Sequence, residues 1–241
     1  MKTKAVLFLA ALLLLSNLSF GQFFKNLEKS AGINNAPFSQ DDAANAIKEA
    51  LTNGIKKGVD KVSVANGYFG NPAIKIPFPP EASKVESALR GMGMGSTVDK
   101  VVETSNHAAE NAATKATPIF IDAIKKLTIT DAINLVNTKQ QDAATQFLKK
   151  NTTEALVVAF KPSIKDALDK IGATQLWSDL MNEYNKIPFH GKVNTDLPDY
   201  VTRKAIDGLF YMIAKEEAAI RQDPAMRTSA LLQKVFGNIK L

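Results

Sequence analysis

The residue that stands out chemically is Asp207. From Ala205 to Ala214 the chain is apolar nearly all round a helix, which predicts a central, buried element with a carboxylate inside it. A buried carboxylate is costly unless a cation or several donors meet it, and Arg203 and Lys204, one turn back, are its natural partners. Asp122 is a second acid of this kind, set in the apolar run Ile119-Phe120-Ile121-Asp122-Ala123-Ile124. Two carboxylates converging in a cleft could share general acid and base work, the chemistry of a hydrolase. Paired one by one with Lys or Arg they are structural. Lys204, Asp207, Asp122 and Arg203 are therefore the candidate site residues. Glu216, Glu217 and Arg221 continue the same helix and read as a solvated face.

Other constellations are weaker. Glu103 and His107 are four apart and share a helix face, where they could supply two metal ligands. Nothing supplies the rest: the only other histidine is His190, and neither a Glu-x-x-His nor a His-Glu-x-x-His spacing occurs. The pair reads as an ordinary polar contact, and the sequence implies no metal and no cofactor. Gly91-Met92-Gly93-Met94-Gly95 lacks the preceding strand and the Lys-Ser or Lys-Thr of a phosphate loop and reads as an interhelical hinge. No Gly-x-Ser-x-Gly elbow supports a serine nucleophile. The absence of cysteine excludes disulfides, thiol catalysis and thiolate metal sites together.

The elements that must position these residues are helical. Ser39 or Asp41 caps a helix whose apolar positions Ala43, Ala44, Ile47, Leu51, Ile55, Val59 and Val62 recur at helical spacing, ending near Asn66-Gly67. A turn at Tyr68 to Pro72 leads into Ala73 to Pro80, where three prolines in four positions forbid a helix. That segment predicts an extended strap pinning Ile74, Ile76 and Phe78 on a neighbour. Further helices follow: Glu81 to Arg90, a long one capped by Ser96 or Thr97, others from Thr117 and Thr130, and Asp142 to Lys150. Thr152 to Ile171 is expected to be kinked or divided by Pro162. The helix with Trp177, the one begun by Pro198 and a last from Pro224 to Phe236 complete the set. The expected fold is all-α, a single domain of about ten helices with one proline-rich strap.

Residues 1 to 21 read as a secretory signal peptide. Lys2 and Lys4 precede the apolar run Ala5 to Leu15, and Ser19 and Gly21 stand three and one positions before a cut ahead of Gln22. The run is short of the roughly 20 apolar residues that a membrane span needs. Residues 22 to 39 read as a flexible lead-in. Net charge is +6, of which Lys2 and Lys4 carry two, leaving +4 after the cut. That mild excess, without a basic block or interleaved aromatics, is not a nucleic-acid footprint.

Five strings carry a resemblance to a known family: Gly70-Asn71-Pro72-Ala73-Ile74-Lys75-Ile76-Pro77, Asp142-Ala143-Ala144-Thr145-Gln146-Phe147, Asp199 to Phe210, Ile220-Arg221-Gln222-Asp223-Pro224 and Leu231 to Gly237. In order and spacing they resemble the bacterial DUF4197 family, from about residue 40 to the C-terminus. The resemblance implies export and one undivided domain, and brings no substrate, cofactor or catalytic residue. Members often carry a glycine-rich stretch near the position of Asn182 to Asn194 of this chain, so that loop reads as a variable surface feature and His190 as a poor site residue. The expectation is an exported, periplasmic or secreted module binding an envelope or extracellular protein or a small ligand. The alternatives are a carboxylate-dependent hydrolase on Asp207 or Asp122, or a carrier of an apolar ligand, which needs an internal cavity of a few hundred Å3.

Overall fold

The computed structural model describes residues 38–186 and 192–238; the segment expected to be a signal peptide, the expected lead-in up to residue 37 and His190 lie outside the described residues. Nine α-helices, two short 3-10 turns and no strand occur among the described residues. Helix α1, Gln40–Val62, opens on a capping box: the Ser39 hydroxyl accepts the Asp42 amide, and the Asp42 carboxylate accepts the Ser39 amide, both at 3.0 Å. It ends at Val62, short of the expected Asn66-Gly67. There the backbone turns back on itself, with Asn66 in the left-handed region at φ 63, and a Cβ on Gly67 would stand 2.5 Å from the Val62 carbonyl oxygen.

Lys234, in the helix Ala230–Phe236, donates to Asp42 at 2.7 Å and ties that helix to the start of α1. This bond, helped by the Ser39 amide, holds the Asp42 carboxyl at about 2, below its ordinary 3.8. A depressed carboxyl stabilises the fold above its ordinary range, and that contribution fades as pH falls from near 4 through 2. Lys234→Met is expected to return the Asp42 titration toward 3.8, read by carboxyl NMR; a midpoint still near 2 would show that Lys234 is not the cause.

After α1 the strap runs to the 3-10 turn Pro80–Ala82, with Ile74, Ile76 and Phe78 buried as the alternation predicts. Helix α2, Ser83–Gly91, turns through Gly93, at φ +81, into α3, Gly95–Ala113. No side chain caps α3, so neither Ser96 nor Thr97 has the expected role. Helices α4, Ala116–Lys125, and α5, Ile129–Asn137, follow, the second on a Thr128 and Asp131 capping box.

Helix α6, Ala143–Asp169, is one continuous helix where two were expected, and it passes through Pro162 undivided. Pro162 and Val158, one turn back, are both exposed, so the hydrogen bond that the proline cannot make lies on the solvent side of the helix. Nearby carbonyls are met by side chains: Lys115 reaches the Ala159 oxygen and the Ser163 hydroxyl, which itself donates to Phe160.

Helix α7, Ala173–Tyr184, buries Trp177, and α8, Leu197–Gln222, starts with Pro198 in its first turn and the Asp196 carboxylate on the Asp199 amide at 2.9 Å. A 3-10 turn, Pro224–Met226, and α9, Ala230–Phe236, close the chain. The last helix starts late because Ser229 accepts the Leu232 amide and so caps it. Helix α8 lies across α1 and α6 and also touches α3 and α7. Its Val201, Ile206, Leu209, Phe210 and Ile213 are buried, at roughly 1.5–3 kcal/mol for each large side chain. That sum outweighs any capping or surface pair and explains why this helix is central. One contiguous apolar core runs from Phe38 to Phe236.

Candidate functional site

The strap is held from two sides. On α3, the buried Asn106 accepts the Ile76 amide and donates to the Ile76 carbonyl, both at 2.8 Å, satisfying the backbone of a residue that has no strand partner. One turn on, the buried Glu110 accepts the amides of Tyr68 and Phe69 at 3.0 and 3.1 Å. On α8, the Tyr68 hydroxyl donates to the Ala205 carbonyl at 2.6 Å, and burial, reinforced by the Glu110 charge, keeps it protonated far above the usual phenol range. Gly208 makes this closeness possible. A Cβ there would lie 2.7 Å from the Tyr68 ring and 3.1 Å from Ile74. At the strap's end Phe78 meets Trp177 edge-on at 5.2 Å, and the Tyr200 hydroxyl donates to the Pro77 carbonyl at 3.3 Å. Burial first, then the Glu81 charge, pushes that hydroxyl up to about 12.

Between the strap and α8 lies an open groove of about 300 Å3, lined by Lys75, Pro77, Lys204, Asp207, Gly208 and Tyr211 among others. Asp207 is not buried. Its side chain is 55% exposed and takes a 2.9 Å ion pair from Lys149 of α6, not from Lys204 or Arg203. Arg203 is spent on Asp199 at 2.9 Å. Lys204 lies 6.0 Å over the Tyr200 ring and Lys75 4.2 Å over the Phe69 ring, and neither meets a carboxylate among the described residues. The groove thus carries two uncompensated cations and a half-exposed aromatic, Tyr211.

Asp122 lies elsewhere. It is 67% exposed, pairs with Lys125 at 3.4 Å and lines a separate cleft of about 560 Å3 between α4 and α6. The other acid of that cleft, Asp131, is committed to capping α5. Asp207 and Asp122 therefore do not converge, and each already holds a lysine, which removes the geometry a carboxylate-pair hydrolase requires. Two apolar cavities, one between α1 and α8 and one around Trp177, are about 10 and 20 Å3, far too small for the ligand a carrier would enclose.

Glu216, Glu217 and Arg221, expected on a solvated face, are buried. Glu216 is 5% exposed and bonds Lys61; Glu217 is 7% and Arg221 1% exposed. Glu217 accepts the amides of Ala144 and Thr145 at 3.0 and 2.8 Å and the Thr145 hydroxyl at 2.8 Å, so a side chain from α8 caps the first turn of α6. Arg221 donates to Glu217 through Nε and Nη2, and through Nη2 to the Leu135 carbonyl. Their signal was the helical phase: Ile206, Leu209, Ile213 and Ile220 define a stripe on which 216, 217 and 221 fall. Among the described residues no three His, Asp or Glu side chains are placed to hold a metal, and no helix is long and apolar enough to cross a membrane.

These features define an all-α protein in which a proline-rich strap is clasped between a central helix and a flanking one, with a basic groove along the clasp. Residues 37–237 match the DUF4197 family, described as a protein of unknown function, and the chain belongs to that family. No curated protein and no solved structure matches it.

Proposed function

We propose that the protein is an exported, non-catalytic binding module whose strap groove takes an acidic segment of an envelope or extracellular partner. The observation that supports the site is the pair of lysines, Lys75 and Lys204, on one open groove whose lining carboxylate, Asp207, is already paired with Lys149. Their ammonium groups lie over aromatic rings, at 4.2 Å from Phe69 and 6.0 Å from Tyr200, which holds them in place and lowers the ordering cost when an anion arrives. The larger cleft between α4 and α6 has its acids already paired or capping and offers no comparable surplus of charge. Export is supported by Lys2 and Lys4, the apolar run Ala5 to Leu15 and the small residues Ser19 and Gly21.

A fluorescein-labelled hexaglutamate peptide is expected to bind saturably at low salt and to release as salt rises. Lys75→Glu with Lys204→Glu should weaken it about tenfold or more, ~1.4 kcal/mol. Equal binding by the double variant, or no binding by the wild type, would overturn the groove. Expression of the full gene in a bacterium should yield a mature chain starting at Gln22 by N-terminal sequencing; retention of Met1 in the recovered protein would overturn export.

A further inference from the structure

We propose that His107 and Glu103 form an exchangeable site for a divalent transition metal of the zinc class, with Glu110 as the positioning residue behind the imidazole. The proposal does not rest on the groove reading.

The argument starts from Glu110. Its Oε1 is fixed by two backbone amides of the turn that opens the strap, and its Oε2 lies 2.8 Å from Nδ1 of His107. The carboxyl side chain is 5% exposed, while the imidazole is 41% exposed. An acceptor held this rigidly sets the tautomer: Nδ1 carries the proton and donates it to Glu110, leaving the Nε2 lone pair free on the solvent side. The Phe69 ring, 5.7 Å away and tilted by 46°, limits rotation of the imidazole. A buried carboxylate receiving the far N–H of a histidine is the support that metal-ligating histidines generally have.

What faces Nε2 completes the case. Glu103 Oε1, one turn back on α3, stands 3.8 Å from it, with the Glu103 side chain 57% exposed. That separation is too long for a hydrogen bond. It is close to the roughly 3.4 Å that separates two donor atoms on one tetrahedral ion with bonds of about 2.0–2.1 Å. A small rotation of Glu103 brings both onto one ion. The described residues add no third protein ligand, so water fills the remaining positions and the ion exchanges freely. An imidazole with one carboxylate suits Zn2+ and its neighbours and not the hard ions Mg2+ and Ca2+, which need several oxygen donors.

The test is calorimetric titration of the purified protein with Zn2+, alongside a long-range imidazole nitrogen spectrum. The expected result is one Zn2+ per chain, binding lost in His107→Ala and weakened in Glu103→Gln, and no binding of Mg2+. Glu110→Gln should weaken Zn2+ about 10–100-fold. Should Glu110→Gln fail to fold, the wild-type spectrum decides the positioning role: Zn2+ must move the Nε2 resonance of His107 and leave Nδ1 protonated. Absence of Zn2+ binding, binding that survives His107→Ala, equal binding of Mg2+, or coordination through Nδ1 would each overturn the proposal.

Discussion

Glu217→Ala is expected to cost about 3–5 kcal/mol of stability, the largest effect of any single replacement outside the apolar core. The cause is what remains behind. Arg221, 1% exposed, would keep its charge in the core with one carbonyl, that of Leu135, in place of a carboxylate bonded through two nitrogens. The amides of Ala144 and Thr145 would lose their acceptor at the same time, leaving the first turn of α6 uncapped. Arg221→Met should cost less, because Glu217 would still be met by three donors from α6. Urea unfolding measures both. A loss for Glu217→Ala no larger than that of an exposed surface pair, about 1 kcal/mol or less, would show that the pair is not the buried junction between α6 and α8.

Asn106→Leu is expected to cost about 2–4 kcal/mol, because the amide and the carbonyl of Ile76 would both be buried without partners. The shape of the side chain is nearly kept, so the loss reports hydrogen bonding more than packing. Its local signature is as informative as its size. The Ile76 amide should exchange with solvent far faster than in the wild type, while amides in the middle of α1 and α8 keep their protection. Unchanged exchange at Ile76 would mean that the Asn106 side chain does not hold the strap.

The strap was legible because proline chemistry is local: three prolines in four positions exclude a helix whatever surrounds them, and the alternation of Ile74, Ile76 and Phe78 chose the buried side. The start of α8 was legible for the same reason. Asp207 is exposed because the helical phase, and not the number of apolar neighbours in sequence, decides which side of α8 it takes. Arg203, Lys204, Asp207 and Tyr211 form one exposed stripe, and the apolar residues around them all lie on the other side. Asp122 is exposed for the same reason. The same phase, followed past Ala214, would have placed Glu216, Glu217 and Arg221 inside. Glu110 carried less signal. It sits among Ala108, Ala109, Ala112 and Ala113, but its partners are backbone amides some forty residues earlier, and no spacing rule points to them. Pro162 shows the reverse limit: a residue that breaks a helix in isolation is tolerated where the hydrogen bond it cannot make lies on the solvent side.

The basic groove between strap and central helix is most directly tested by mapping hexaglutamate binding on the amide spectrum of the protein. The account predicts saturating shifts confined to residues 73–77 and 204–211. Shifts centred instead on the α4–α6 cleft around Asp122 and Lys126, or scattered over the surface without saturation, would contradict it.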